Sequence, residues 1–428
     1  MNKFIFKNIN GTISLPGDRS ISHRALFLSA LSTGKITITG LSVSPNVNST
    51  IELLRQCHIS VIRSGNCYTV KGNGLYGIKE PHNVLDAGNS GTTIRIASGI
   101  LGPQRFYSVL TGDEAVRDNS IRRIVAPLEK MGIRIYCKSN NSFPPITILP
   151  CNKIRAISYK MAIPSARIKS ALLFAGLYTK KEMIINEPFR SPDHTERIFQ
   201  LFNIPVERKK NKIILNNKGK SFKGKNITIP GDFSFAAYFI VAALITPKSR
   251  ISIKNVCLNE TRIGLLNVLQ RMGAKIEIKN MRKQCNEAVG DLTVQSSNLI
   301  GTEIKEKEIP LFKDELPILS IAATAAQGRT TFTGAQILRT KEYNRLKYIT
   351  ENLKGLGVPV KELNNGFVIK GESALNTKNV VRSFSDSRIT MSFIIAATLL
   401  KNGIKIDDIS SINNYYPDFI NELRKAAK

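Results

Sequence analysis

The feature that most constrains this chain is a recurrence. A turn of small or acidic residues, followed by an apolar helix, appears six times. The copies begin LPGDRSISHRALFLSAL at Leu15, DAGNSGTTIRIASGILG at Asp86 and AIPSARIKSALLFAGLY at Ala162. They continue as IPGDFSFAAYFIVAALI at Ile229, KDELPILSIAATAAQG at Lys313 and SFSDSRITMSFIIAATLL at Ser383. The starts lie about 70 residues apart, too far for a solenoid unit, so each copy reads as one mixed α/β module. Ser, Asp or Asn stands where a helix N-cap belongs, Ala, Leu and Ile follow, and an alternating run predicts a strand. Amphipathic stretches such as IRRIVAPLEKMG (121–132), RIGLLNVLQRMG (262–273) and YNRLKYITENLKGLG (343–357) predict a second helix per module.

Composition narrows the class. The chain has 428 residues, of which 42% are hydrophobic, which suits folded domains and excludes a disordered chain. No apolar run reaches the roughly 18 residues of a membrane span, and the N-terminus lacks the apolar block of a signal peptide. Cys57, Cys67, Cys137, Cys151, Cys257 and Cys285 form no CxxC pair and have no His at metal-ligand spacing. They read as reduced thiols of a cytoplasmic protein, and no metal site is expected. P-loop, dinucleotide-fold and HExxH patterns are absent from the sequence, which sets aside kinase, dehydrogenase and zinc-protease readings.

Lys and Arg number 62 against 32 Asp and Glu, a formal net charge of +30. Such a balance fits an anionic partner, but Lys, Asn and Ile are heavily used throughout, as a compositional bias would produce. Stretches such as RKKNKIILNNKGK (208–220) and KEKE (305–308) read as solvated loops. A nucleic-acid binder is disfavoured, because aromatics are only 7% and the basic residues are scattered. The arginines inside the motifs are a different matter: Arg19, Arg24, Arg95, Arg167 and Arg388 lie at the starts of helices that should be buried. A capped helix start offers N–H groups and a positive dipole end, and an Arg there is costly unless it meets an anion.

LPGDRSISHRAL, LDAGNSGTTIR, SARIKSALLFAGL, DHTER, DELPIL and LRTKEYNRL stand in order over almost the whole chain. They resemble the signatures of the 5-enolpyruvylshikimate-3-phosphate synthase family of enolpyruvyl transferases. The resemblance implies an α/β (α+β) fold of two domains, with six βαβαββ repeats, three per domain, around buried helices. It implies one domain made of 1–14 and 231–428, another of 15–230, and an active-site cleft between them. It further implies transfer of the enolpyruvyl group of phosphoenolpyruvate to the 5-hydroxyl of shikimate 3-phosphate with release of phosphate. No cofactor, nucleic acid or membrane is implied, and the expected state is a cytoplasmic monomer.

Residue by residue, Asp314 matches the assigned base, and Lys341 with Glu342 matches the paired proton-transfer residues. Arg19, Ser20, Arg24, Ser165, Arg167 and Ser191, with Asp314 and Lys341, match positions holding shikimate 3-phosphate. Arg19, Asn89, Gly91, Arg167, Arg345 and Arg388 match positions holding phosphoenolpyruvate. Taken alone, Asp314-Glu315 would read as an N-cap and Lys341-Glu342 as a surface charge pair.

The chain departs from the family pattern in several places. The PGDK lysine is Arg19, an Arg that anchors phosphoenolpyruvate is Asn119 with Ser120 after it, and the SAQ glutamine is Arg167. The DHR histidine is Ser387, an Arg of SRDHTER is Pro192, an acidic position is Asn46, and a Lys before YYP is Asn414. A working enzyme in which Arg167 replaces charge lost at Asn119 is expected; an impaired or repurposed paralogue is the alternative. The related UDP-N-acetylglucosamine enolpyruvyl transferase is disfavoured, because GDEAVRDNSI (112–121) lacks its loop Cys.

Overall fold

The computed structural model describes residues 2–427 apart from 339–343, 374, 377 and 378. Among the described residues, twelve α-helices of eight residues or more alternate in character along the chain. They are α1 (Arg19–Leu31), α2 (Pro45–Gln56), α3 (Gly91–Leu101), α4 (Arg122–Lys130), α5 (Ala166–Gly176) and α6 (His194–Leu201). The remainder are α7 (Phe233–Ile245), α8 (Gly264–Arg271), α9 (Leu316–Ala325), α10 (Arg345–Gly355), α11 (Ser387–Ala396) and α12 (Phe419–Ala426). The odd-numbered helices are the repeated motif helices and are apolar nearly all round; all thirteen residues of α7 are buried. The even-numbered helices bury one stripe, such as Ile124, Val125 and Leu128 on α4 or Phe419 and Leu423 on α12.

Between them run small mixed sheets. Five sheets have four strands and share one topology: a parallel edge strand, then two antiparallel pairings. In the first, Thr33–Thr39 pairs antiparallel with Cys67–Asn73, from Thr33↔Asn73 to Thr39↔Cys67, and buries Ile36 and Ile38 at period two. The sixth module is reduced among the described residues: Asn2–Phe4 pairs with Ile404–Ile406, and Val381 adds a bridge to Ile406.

The chain divides into two compact units. One comprises Met1–Leu15, Gly231–Arg282 and Ala288–Lys428, and the other Pro16–Pro230 with Lys283–Glu287. Helices α7, α9 and α11 fill the core of the first, and α1, α3 and α5 that of the second. Each unit closes its first sheet with a strand from beside a crossing of the chain. Asn10–Ser14 pairs parallel with Arg250–Cys257 in one, and Ile227–Thr228 with Ile38-Thr39 in the other. Pro-Gly-Asp precedes both α1 and α7, and the Asp caps the helix each time. Only glycine fits the first of these turns, where a Cβ on Gly17 would lie 1.9 Å from the carbonyl oxygen of Gly40.

One expectation is corrected here. Part of the basic stretch 208–220 is a hairpin, with Val206–Lys209 antiparallel to Lys212–Leu215. Ile213 and Leu215 alternate inward and are fully buried, which outweighs the charges around them.

Candidate functional site

In the unit containing Pro16–Pro230, the site is built on the starts of α1, α3 and α5. Asp18 accepts from the Ile21 N–H at 2.9 Å and so caps α1, leaving Arg19 and Ser20 half-buried on its first turn. Arg24, one turn further in, is 3% exposed. Its Nε donates to Thr195 Oγ1 at 2.7 Å, Nη1 to the Ser20 carbonyl at 2.6 Å, and Nη2 to Ser170 Oγ at 2.6 Å. A guanidinium carries five N–H groups, so one remains on each terminal nitrogen, the fork that suits a carboxylate. Arg24 forms no ion pair with any described residue. Burial lowers its pKa to about 10, with Asp18 opposing and Arg167 adding to the fall.

The same excess of positive charge reaches its neighbours. His23 is lowered to about 3, first by burial and then by Arg24, Arg19 and Arg167, so it stays neutral and bonds Thr50 Oγ1 through Nδ1 at 2.7 Å. Arg95 is lowered to about 9 by burial, Arg167 and Arg123. Arg95 donates to the Gly91 carbonyl at 2.8 Å and to that of Ser120 at 3.1 Å. A Cβ on Gly91 would lie 2.7 Å from Arg95 Nη1 and 3.7 Å from Arg167 Nη1, so two guanidinium groups flank this glycine. Ser90 caps α3 at the Thr93 N–H, and the exposed Asn89 donates to Asp113 Oδ2 at 2.6 Å. Asn119 is exposed; its side-chain amide donates to the Ala115 carbonyl and its backbone N–H to that of Val116, each at 3.3 Å.

Ser165 caps α5 through a long contact of 3.5 Å to the Ile168 N–H, and Arg167 projects as an exposed side chain one residue beyond Ala166. Ser191 is 3% exposed and gives both its N–H and its hydroxyl proton to Glu187, at 2.9 and 2.7 Å. What it offers a ligand in this arrangement is a lone pair.

The other unit holds a second cluster at the starts of α9, α10 and α11. Asp314 lies among three guanidinium groups: Arg388 at 3.7 Å, Arg345 at 3.8 Å and Arg262 at 3.9 Å. Burial alone would raise its pKa, but Arg388, Lys313, Arg262 and Arg345 together hold it well below the usual carboxylate range. Asp386 caps α11 through Oδ1 and accepts from Arg345 Nε through Oδ2 at 2.7 Å, which fixes Arg345. The Arg388 guanidinium lies 4.6 Å from the centre of the Tyr415 ring, and its Nε is buried with no hydrogen-bond partner among the described residues.

Simple capping does not explain Asp314-Glu315. Glu315 occupies the N-cap position of α9 but makes no cap bond. Its Oε1 accepts instead from Ser234 Oγ at 2.5 Å and from Arg262 Nη2 at 3.1 Å. Burial, with Asp314 beside it, raises the Glu315 pKa. Lys341 and Glu342 lie outside the described residues.

Sequence reasoning missed Arg262, which precedes α8 and serves both carboxylates, and the hydroxyls of Ser170 and Thr195 that hold Arg24. The signal for Arg262 was an Arg directly ahead of a helix whose next residues, IGLL, are apolar. Thr195 and Ser170 carried none, since hydroxyls of this kind are common as helix and turn residues.

These two clusters stand on helix starts of a repeated α/β scaffold, an arrangement whose charge suits anions, and the scaffold has the enolpyruvyl transferase fold. The family model described as EPSP synthase (3-phosphoshikimate 1-carboxyvinyltransferase) matches residues 5–423, and the chain belongs to that family. A 3-phosphoshikimate 1-carboxyvinyltransferase of Petrotoga mobilis is 44% identical over 420 residues, 98% of this chain and 97% of that one. The structure of EPSP synthase from Acinetobacter baumannii superposes with a TM-score of 0.90 at 32% identity, covering 99% of this chain and 97% of the other. The enolpyruvyl transferase NikO of Streptomyces tendae shares the fold at TM-score 0.78 and 13% identity, covering 99% and 96%.

Proposed function

We propose that this chain transfers the carboxyvinyl group of phosphoenolpyruvate to the 5-hydroxyl of shikimate 3-phosphate. The observation that carries the proposal is Arg24, a buried cation whose three hydrogen bonds go to two hydroxyls and a carbonyl and which forms no ion pair with a described residue, while Arg167 adds to the positive charge around it. Both substrates bring a phosphate and a carboxylate, the groups that a guanidinium fork suits.

In this assignment Arg24, Ser20, Ser165 and Ser191, with Arg19, hold shikimate 3-phosphate. Arg345 and Arg388, with Asn89 and Gly91, are assigned to phosphoenolpyruvate. Asp314 takes the proton of the 5-hydroxyl as its oxygen bonds C2, while Lys341 and Glu342 protonate the methylene carbon. The tetrahedral adduct then returns one methyl proton to that pair and expels phosphate, restoring the double bond.

A carboxylate held far below its usual range is a weak base, and substrate binding relieves this. Anions arriving at Arg345 and Arg388 offset the charges that depress Asp314, so its basicity rises as the site fills. The placement of Arg167 beside Gly91 supports a working enzyme in which this side chain makes good the charge missing at Asn119. The six cysteines, all free thiols, support action in a reducing cytoplasm. Among the described residues no helix is long and apolar enough to cross a membrane.

Phosphorus-31 NMR of the purified chain with both substrates tests the proposal. The expected outcome is growth of the inorganic phosphate signal, together with the enol-ether product on the shikimate ring. A mixture whose spectrum does not change would contradict it.

A further inference from the structure

Lys169 stands on α5 among buried apolar residues and has no exposed side-chain surface. Its ammonium has three acceptors, Glu187 Oε1 at 2.8 Å, Glu196 Oε1 at 2.8 Å and the Ser191 carbonyl at 3.2 Å, one for each proton. Arg208 closes the cluster from the rim, at 3.1 Å from Glu187 and 3.4 Å from Glu196. Two cations thus face two carboxylates, a balanced set in which loss of one member leaves a buried charge exposed to its like. The arrangement joins three elements that carry expected substrate contacts. Lys169 sits one turn below the cap Ser165 and two residues beyond Arg167 on α5. Glu187 clamps Ser191 by both its N–H and its hydroxyl. Glu196 follows Thr195 on α6, and Thr195 and Ser170 together hold Arg24.

We propose that Lys169 is a positioning residue for the phosphate-bearing ring substrate: by gripping Glu187 and Glu196 it sets the 187–191 turn and the start of α6, and with them Ser191 and Arg24. The inference rests on the functional reading above, which assigns those two residues to shikimate 3-phosphate. Lys169 itself, with every proton engaged beneath the surface, does not touch the substrate. A charge-assisted clamp of this kind holds side chains more tightly than neutral hydrogen bonds do, and loosening a supporting shell by a fraction of an ångström is enough to weaken a site.

The test compares Lys169→Met, Glu187→Gln and the double variant with the parent chain. Shikimate 3-phosphate binding is read by calorimetry, and both KM values and kcat are read by phosphate release. Glu187→Gln keeps the shape and one acceptor, so it serves if Lys169→Met does not fold. Each single variant is expected to weaken shikimate 3-phosphate roughly tenfold, with the phosphoenolpyruvate KM and kcat within about twofold. The double variant is expected to cost about the same tenfold, because both changes break one network.

Unchanged shikimate 3-phosphate affinity would overturn the inference. So would a joint shift of both KM values with kcat, which marks general loosening, or additive losses in the double variant. A parent chain that binds shikimate 3-phosphate yet releases no phosphate would sink the functional reading alone, and the calorimetric comparison would still decide this one. A parent chain that does not bind it would overturn both.

Discussion

Arg24 and Asp314 show how opposite charges are prepared for the same chemistry. Arg24 is held by neutral groups only, whereas Asp314 is surrounded by guanidinium groups and kept ionised. Asp314→Asn keeps the shape and removes the base, so kcat should fall by about 10²–10⁴, the usual range for lost acid–base catalysis. Phosphate-release kinetics check this, and a kcat within tenfold of the parent would remove Asp314 from the role of base. The depressed pKa has a signed consequence. In the free enzyme the acid limb set by Asp314 lies below the ordinary carboxylate range, and substrate anions move it up. The acid limb of kcat should therefore sit at higher pH than that of kcat/KM; coincident limbs would show that substrates leave Asp314 unaffected. Arg167 makes the third residue-scale case. Arg167→Gln should raise the phosphoenolpyruvate KM by about tenfold, and adding Asn119→Arg should recover most of it. A KM that ignores Arg167→Gln would rule out compensation.

Among the elements, the six motif helices were readable in the sequence because their caps and apolar runs recur at one period. The local rule held where the cap was an Asp or Ser, as with Asp18, Ser90, Ser165, Asp232 and Asp386. It failed at α9, where Glu315 is drawn away from the helix end by Ser234 and Arg262, partners distant in sequence. Strand Ile227–Thr228, which closes the first sheet of its unit, is too short to carry a period of its own. The cluster around Lys169 left one trace: a lone Lys in the apolar run of α5, which has to be paired if it is buried. Its carboxylates, on a turn and on another helix, could not be assigned to it from spacing.

Helix α6 carries a pH-dependent element of the same kind. His194 Nδ1 lies 2.8 Å from Glu287 Oε1, with both side chains about 1% exposed. Burial by itself would lower the His194 pKa, yet Glu287 raises it above the ordinary value. A raised folded-state pKa stabilises fully below the unfolded value of about 6.5 and less as pH climbs through the folded one. Melting temperature should therefore decline as pH rises above neutrality, and His194→Gln should flatten that slope. An unaltered slope in the variant would assign the effect elsewhere.

For the whole molecule, the net charge of +30 separates into two populations. Many Lys and Arg side chains are exposed or lie in surface pairs such as Lys347 with Glu351 and Lys425 with Glu422, which contribute little. A smaller set, Arg24, Arg95 and Arg167 in one unit and Arg262, Arg345 and Arg388 in the other, stands at or near helix starts and shapes the local potential. The two-unit division follows from the repeat: three modules bury their motif helices together, and a strand beside each crossing completes the first sheet of each unit. The central claim is that this chain converts phosphoenolpyruvate and shikimate 3-phosphate, with these arginines among the residues proposed to hold them. Initial-rate phosphate release by the purified chain tests it most directly, with each substrate omitted in turn. The predicted result is turnover on the order of 1 s⁻¹ or faster that requires both substrates. Release no greater than with either substrate left out would contradict it.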